Sequence, residues 1–172
     1  MLRNEIKNWH VLRTRSRFEK KCEKELQRDG YEVFLPLQKQ MRIWSDRKKI
    51  VEIPLFSGYI FLKILSSQRY DILQYVGITQ FVRFDGKDAI IAENEINAIR
   101  QSLQKEKSIE VADIELYVGE DIKIASGPFK GFYGKLIQLK NKEKILVEIA
   151  SMGKALLLEI GRTRIEKIAN TT

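Results

Sequence analysis

The sequence predicts an α+β protein of two domains, an antiparallel sheet flanked by helices followed by a small five-stranded β-barrel. Residues 1–105 alternate strand-like runs of period two with helix-like runs of period 3.6, whereas residues 116–172 contain strand-like runs only. Between them, residues 106–115 are mostly charged or small and show no period, which is typical of a linker. A chain of 172 residues, 44% of them hydrophobic, can form two small cores.

The first domain opens with a strand over 9–13 and a helix whose start is marked by a capping box. Ser16 and Glu19 have the spacing at which the two side chains each accept a hydrogen bond from the other residue's backbone N–H. Gly30 ends the helix. Three apolar residues at helical spacing predict its buried stripe: Phe18, Cys22 and Leu26. Cys22 is therefore expected to be a small core residue rather than a nucleophile.

The remaining elements follow from the same two periods and from the turn residues between them. In the first domain we expect strands over 32–37, 58–62 and 80–84, a hairpin of 40–44 with 50–53, and helices over 68–75 and 93–103. The strand over 58–62 is aromatic and is expected to be central, and residues 45–49 form the hairpin tip. In the second domain we expect strands over 121–124, 133–139, 144–149, 156–160 and 165–168.

The net charge of +8 is concentrated at the N-terminal end of the chain. Residues 1–50 contain 14 Lys and Arg against 7 Asp and Glu. This asymmetry favours a polyanionic partner on one side of the first domain. A run of like charge is equally often only a solvated face, and that alternative stays open.

Composition and motifs argue against several classes of protein. No apolar run approaches the roughly 18 residues of a membrane helix, and no signal-peptide core begins the chain, so we expect a cytoplasmic protein without a membrane partner. The single cysteine excludes an internal disulfide and a cysteine-cluster metal site. The one histidine, His10, is expected to be a hydrogen-bonded structural residue or half exposed. With no phosphate loop, nucleophile elbow or metal ligands, the sequence predicts no enzyme activity and no cofactor, and a small basic nuclease is disfavoured.

Three glycines and a proline interrupt the strand pattern between 121–124 and 133–139. Glycine tolerates positive φ and proline presets its own φ, so the segment predicts a tight turn rather than a nucleotide loop. The residues that define this turn are Gly127, Pro128, Phe129, Gly131 and Gly134. The run resembles the KOW motif that ends NusG-type transcription factors.

Four blocks in the N-terminal half resemble, in the same order, the NusG N-terminal (NGN) domain. They are WHVLR at 9–13, EKK at 19–21, PLFSGYIF at 54–61 and GITQFVRF at 77–84. Together with the KOW-like turn, the resemblance to the NusG family spans nearly the whole chain. It implies an NGN domain over 1–105 and a KOW β-barrel over 116–172. The glycines of the second domain disfavour long helices, so we expect a barrel and not the helical hairpin that RfaH forms.

The resemblance also implies two kinds of binding residue. In the family a hydrophobic pocket on the NGN sheet grips the clamp helices of RNA polymerase, and the aromatic residues at matching positions are Trp9, Tyr59, Phe61, Phe81 and Phe84. Each of them has an alternative interpretation as a core residue. In RfaH-like relatives the turn after the first strand touches the non-template DNA strand, and the cations around that turn are Arg13, Arg15, Arg17 and Lys21. The cations of the hairpin tip either reach upstream DNA or only solubilise the turn: Arg47, Lys48 and Lys49.

The resemblance favours a monomeric elongation factor that binds RNA polymerase. The stretch WSDRKK at 44–49, followed by PLF at 54–56, looks most like the specialised UpxY-type antiterminators of long operons. One alternative is a housekeeping NusG, whose KOW domain meets Rho or the ribosome. A second alternative is a KOW-containing ribosomal or RNA-binding protein, which would leave the four N-terminal blocks unexplained.

Overall fold

The computed structural model describes residues 6–105, 109–114, 118–159 and 165–168. The chain forms two compact units, Met1–Glu93 and Asn94–Thr172. No helix within the described ranges is long and apolar enough to cross a membrane. The division between these units lies near the start of the last helix, and the predicted domain limits of 1–105 and 116–172 stay a prediction.

The first unit is built on an antiparallel sheet. In chain order its elements are β1 (Asn8–Thr14), α1 (Glu19–Arg28), β2 (Glu32–Phe34), β3 (Leu37–Ile43), β4 (Lys48–Pro54), β5 (Tyr59–Ile64), a 3-10 turn (Ser66–Gln68), α2 (Arg69–Ile72), β6 (Ile78–Phe81), β7 (Arg83–Phe84), β8 (Lys87–Asp88) and β9 (Ile90–Ile91). The sheet has the order β2-β5-β1-β6, and β9 also pairs with β1. The aromatic strand β5 is therefore central, as predicted.

One face of this sheet carries the core of the first unit. Leu12 and Leu62 on the sheet pack with Cys22 and Leu26 of α1 and with Ile72 of α2. The buried stripe of α1 is thus confirmed, and Cys22 is fully buried. Burial raises the pKa of the Cys22 thiol to about 11, which leaves it protonated and unreactive at neutral pH.

The predicted capping box at the start of α1 is wrong. Ser16 is exposed, and the residue that precedes the helix, Phe18, makes no side-chain cap. Arg17 has a left-handed backbone with φ of 64°, which turns the chain before the helix begins and leaves Ser16 outside it. The Glu19 carboxylate instead accepts a hydrogen bond from the backbone N–H of Gly58 at 2.8 Å. A tertiary contact has replaced the local cap.

The predicted hairpin is present and longer than expected. β3 pairs with β4 from Leu37 opposite Pro54 to Ile43 opposite Lys48. The N–H of Trp44 donates to the carbonyl of Arg47 at 2.8 Å and closes the tip. The tip is therefore 44–47, and two of the cations assigned to it, Lys48 and Lys49, lie in β4.

The second unit contains α3 (Glu93–Lys105), which begins at the boundary, and a six-stranded antiparallel sheet. Its strands are β10 (Glu110–Asp113), β11 (Glu120–Ile124), β12 (Tyr133–Leu139), β13 (Lys142–Ile149), β14 (Lys154–Glu159) and β15 (Ile165–Lys167), in the order β10-β14-β13-β12-β11-β15. All five predicted strands are present. The sixth, β10, lies within the segment expected to be a linker, of which residues 106–108 and 115 lie outside the described residues.

The strand β10 forms where the chain pairs with β14 and packs Ala112 against the buried cluster of the second unit. It pairs with β14 from Glu110 opposite Leu157 to Asp113 opposite Lys154. The Lys144 ammonium lies 2.8 Å from the Glu110 carboxylate, and Lys154 pairs with Asp113. Four residues are too few to show a period, so their charge suggested a linker.

The KOW-like turn is a compact reversal between β11 and β12. Gly127 and Gly131 have φ of 86° and 90°, a backbone that side chains rarely adopt. The N–H of Gly131 donates to the carbonyl of Ile124 at 2.8 Å, and Phe129 is buried beneath the turn. A Cβ on Gly134 would lie 2.2 Å from the carbonyl oxygen of Leu146, so only glycine allows β12 and β13 to approach this closely.

Candidate functional site

Three of the five aromatic candidates are core residues of the first unit. Trp9 is 2% exposed, Phe61 is fully buried and Phe81 is nearly so. The indole N–H of Trp9 donates to the Glu93 carboxylate at 2.8 Å. Phe61 packs against Phe34 and Phe56, with ring centroids 5.9 and 5.6 Å away. These three rings offer almost no area to a partner in this structure.

The other two aromatic candidates have exposed ring surface. Tyr59 is half-buried, and the Arg13 guanidinium lies over its ring at 5.6 Å, with a nitrogen 3.5 Å from the phenol oxygen. Phe84 is 42% exposed and lies on the separate ribbon of β7 and β8. Strand alternation places Tyr59 and Phe61 on one face of β5, so the buried ring lies next to the half-buried one.

The four cations near the β1–α1 turn are exposed but differ in their partners. Arg13 is engaged with Tyr59. Lys21 lies 3.9 Å from Glu25 and over the ring of Phe18 at 5.3 Å. Arg15 and Arg17 have no ion-pair partner within the part of the chain that the structure describes. These two arginines are the ones best placed to meet an external anion.

The hairpin of β3 and β4 has two chemically distinct faces. Directly opposite residues of an antiparallel pair share a face, so Arg42 and Lys49 lie together on one face. Lys48 lies on the opposite face, across from Ile43. That second face carries three exposed apolar residues: Met41, Ile43 and Ile50, which are 61%, 75% and 63% exposed. The predicted cluster of Arg47, Lys48 and Lys49 is therefore divided between the tip and the two faces.

A cavity of about 430 Å³ opens between the β1–α1 turn and the hairpin. Three of the residues that line it are cations: Arg17, Lys20 and Arg42. The other lining residues are Ser16, Glu19, Ile53, Pro54 and Ser57. The sequence predictions named Arg17 but not Lys20 or Arg42 as a binding residue, because nothing in a one-dimensional pattern brings residue 42 to residue 17.

His10 is buried, and the expected hydrogen bond is absent. Neither ring nitrogen has a hydrogen-bond partner among the described residues. The ring meets the edge of Phe81 with centroids 5.6 Å apart, and burial together with the nearby Arg69 lowers the pKa of the imidazole. Arg69 in turn lies 4.0 Å over Phe81 and pairs with Asp88 at 2.6 Å. His10 is therefore a neutral core residue, and the expectation of a hydrogen-bonded or half-exposed histidine is wrong.

Within the described ranges, no three His, Cys, Asp or Glu side chains converge to hold a metal ion. The described part of the first unit instead presents two unpaired arginines on the β1–α1 turn, an exposed apolar face on the separate hairpin and a half-buried tyrosine on β5.

Comparison with known proteins gives one consistent result. The family model described as "NusG: Transcription termination factor nusG" matches residues 7–100. A protein of Halalkalibacterium halodurans named "Transcription termination/antitermination protein NusG" is 26% identical over 94% of this chain and 99% of its own length. The protein of the same name from Bacillus subtilis is 27% identical over the same shares. A solved structure of Thermotoga maritima NusG superposes with a TM-score of 0.57 at 22% identity, covering 95% of this chain and 98% of that one. The last match supports the fold alone.

Proposed function

Because this chain belongs to the NusG family of transcription termination/antitermination factors, we propose that it is an antiterminating elongation factor that binds the clamp helices of RNA polymerase and the exposed DNA. In this function it promotes processive transcription of a long operon. The observation that carries the proposal is the family match over residues 7–100, which contains every residue proposed to contact polymerase or DNA.

The polymerase-binding surface is centred on Tyr59. The proposed residues remain Trp9, Tyr59, Phe61, Phe81 and Phe84, but their roles divide by burial. Tyr59 and Phe84 supply exposed ring area, while Trp9, Phe61 and Phe81 hold the sheet that presents it. A half-buried tyrosine suits an anchor because much of its ring is already ordered before a partner binds.

The DNA-binding surface comprises the β1–α1 turn and the basic parts of the hairpin. Arg15 and Arg17 are exposed and unpaired in the described part of the chain, so a phosphate would gain their full attraction. Arg13 and Lys21 flank them, and Arg47, Lys48 and Lys49 extend the positive charge along the hairpin. Such contacts give affinity that depends on salt and carry little sequence preference by themselves.

The test of the polymerase surface uses three alanine variants of the full chain. Tyr59→Ala is expected to weaken binding to the core polymerase by ~2 kcal/mol or more, because an aromatic anchor is lost at the centre of an interface. Tyr133→Ala, an equally drastic change at an exposed tyrosine of the second unit, is the matched control and is expected to bind normally. Phe61→Ala is expected instead to lower the free energy of unfolding by about 3–5 kcal/mol. A folded Tyr59→Ala protein that binds polymerase like its parent would remove Tyr59 from the interface.

A housekeeping role is the second candidate, and it is favoured by the full-length match to the two bacterial proteins named above. In that role the KOW domain meets Rho or the ribosome. Reconstituted transcription through a Rho-dependent terminator separates the two: a specialised antiterminator raises readthrough, whereas a housekeeping factor raises Rho-dependent termination.

A further inference from the structure

The cavity between the β1–α1 turn and the hairpin has the charge of an anion site. Arg17 and Arg42 approach it from two different elements, and neither has an ion-pair partner in the described ranges. Lys20 is held at its edge because its ammonium donates to the carbonyl of Glu52 at 3.0 Å. Among the described residues that line the cavity, Glu19 is the one acid, and it is buried and accepts the hydrogen bond from Gly58. The cations therefore outnumber the acids by three to one.

The backbone that carries Arg17 is strained and firmly held. Its φ of 64° is unfavourable for a residue with a Cβ. Hydrogen bonds fix the chain on the N-terminal side, from the N–H of Thr14 to Gly58 at 2.9 Å and from the N–H of Arg15 to Gly77 at 2.8 Å. Backbone strain that the surrounding structure maintains is concentrated at binding sites, where it positions a side chain in advance.

The rest of the lining suits an organic ligand rather than a bare ion. Ile53 and Pro54 form a partly buried apolar wall, and Ser16 and Ser57 are exposed residues of the lining. The volume of about 430 Å³ lies within the roughly 300–1,000 Å³ of small-molecule sites. A phosphate alone would leave most of this space empty.

We propose that this cavity binds one nucleotide of single-stranded DNA, with its phosphate on Arg17, Lys20 and Arg42 and its base against Ile53 and Pro54. The inference rests on the proposed function, which places a DNA strand along this turn. The cavity adds a defined binding site to the proposed DNA-binding surface, at the place where the hairpin lies beside the start of α1.

The first experiment titrates the full chain with thymidine monophosphate and follows the backbone amide signals of Ser57 and Gly58 by NMR. We expect these signals to shift and saturate, and we expect Arg42→Gln to weaken binding fivefold or more. Lys39→Gln is the matched control, because Lys39 is an exposed cation of the same strand on the opposite face from Arg42 and does not line the cavity. Its affinity should stay within twofold of the parent. Equal losses in the two variants would overturn the site in favour of diffuse hairpin charge.

Arg17→Gly provides a second variant that keeps the fold. Glycine adopts the left-handed backbone without strain, so the variant should be at least as stable as the parent and still bind the nucleotide fivefold or more weakly. Unchanged affinity would remove Arg17 from the site.

Two further ligands identify the occupant. Inorganic phosphate at the same concentrations should produce smaller shifts, and equal shifts would reduce the site to a simple anion site and overturn the nucleotide assignment. A thymidine hexanucleotide should bind more tightly than a uridine hexanucleotide, and the reverse order would overturn the assignment to DNA.

Polymerase binding keeps the two proposals distinguishable. If thymidine monophosphate moves no signal while the chain still binds polymerase through Tyr59, the nucleotide site fails and the proposed function stands. If the cavity binds the nucleotide but the chain does not bind polymerase, the proposed function fails.

Discussion

The sheet of the second unit and the β1–α1 turn and hairpin of the first unit differ in how their cations are partnered. In the second unit Lys135, Lys144 and Lys167 lie 2.7, 2.8 and 2.7 Å from carboxylates of other strands of the sheet, and Lys154 pairs with Asp113. In the first unit Arg15, Arg17 and Arg42 face solvent without an ion-pair partner in the described ranges. Paired surface lysines contribute little beyond register, about 0–1 kcal/mol each. We expect the unpaired arginines of the turn and the hairpin, rather than the paired lysines, to be the cations that meet an external anion.

The largest effect is expected for Gly134→Ala, which tests whether DNA binding by the first unit is independent of the fold of the second unit. The added Cβ would lie 2.2 Å from the Leu146 carbonyl, so we expect overpacking to destabilise the second unit by ~3 kcal/mol. Affinity for single-stranded DNA should stay within about twofold, because the unpaired arginines belong to the first unit. The NMR amide signals of residues 120–159 measure the destabilisation of the second unit, and fluorescence anisotropy measures the affinity for single-stranded DNA. A parallel loss of DNA affinity would show that the second unit contributes to that surface.

Charge reversal tests directly whether the unpaired arginines of the first unit, and not net charge, govern DNA binding. Arg15→Glu with Arg17→Glu should lower affinity for single-stranded DNA more than tenfold at low salt. The slope of log affinity against log salt should become shallower by about 1.4, because two phosphate contacts are lost. The control, Lys140→Glu with Lys142→Glu, makes the same change in net charge on exposed residues of the second unit. Equal effects from the two double variants would mean that net charge and not position governs binding.

The ion pair between Lys144 and Glu110 predicts that exchanging the two charges preserves the stability of the second unit. Glu110→Lys should destabilise the second unit by about 1 kcal/mol, because two ammonium groups would then face each other across β10 and β13. Adding Lys144→Glu should restore most of the loss, and thermal unfolding of the four members of this cycle measures the coupling. Absence of coupling would show that β10 is held by its backbone hydrogen bonds and apolar contacts alone.

Acid sensitivity near neutral pH should be confined to the first unit, which contains the only histidine. The pKa of His10 is lowered in the folded chain, so the unfolded chain takes up its proton at higher pH. Stability is therefore full above about pH 6.5 and falls as the pH is lowered towards the folded pKa. Tryptophan fluorescence during urea unfolding follows the first unit, because Trp9 and Trp44 both lie there. His10→Leu should flatten this pH dependence, and an unchanged slope would assign it to carboxylates.

Local patterns predicted most of the elements because each depends on near neighbours in the chain. The apolar stripe of α1, the hairpin of β3 and β4 and the strands β11 to β15 were all indicated by periods of 3.6 or two. The turn residues Gly127, Gly131 and Gly134 were identified from backbone freedom alone. The structure adds that Gly134 is required by a neighbouring strand.

Burial of the aromatic residues could not be predicted from the same patterns. Alternation assigns Tyr59 and Phe61 to one face of a strand, but it does not state how much of that face is covered. The structure leaves Tyr59 half-buried and buries Phe61 completely. Two aromatic residues on the same face of a strand can therefore differ in burial, so that one belongs to the surface and the other to the core.

By itself the sequence determined the α+β class, the two-domain order, the position of the excess positive charge and the family resemblance, because these depend on composition and short-range order. Only the tertiary structure decided which cations are free, since the partners of a lysine or arginine come from distant strands. It replaced the Ser16 cap by the bond from Gly58 to Glu19 and turned part of the expected linker into β10. It also brought Arg42 and Arg17 to the same cavity, because the approach of residues 25 positions apart is set by where the hairpin lies relative to the β1–α1 turn and has no local signature.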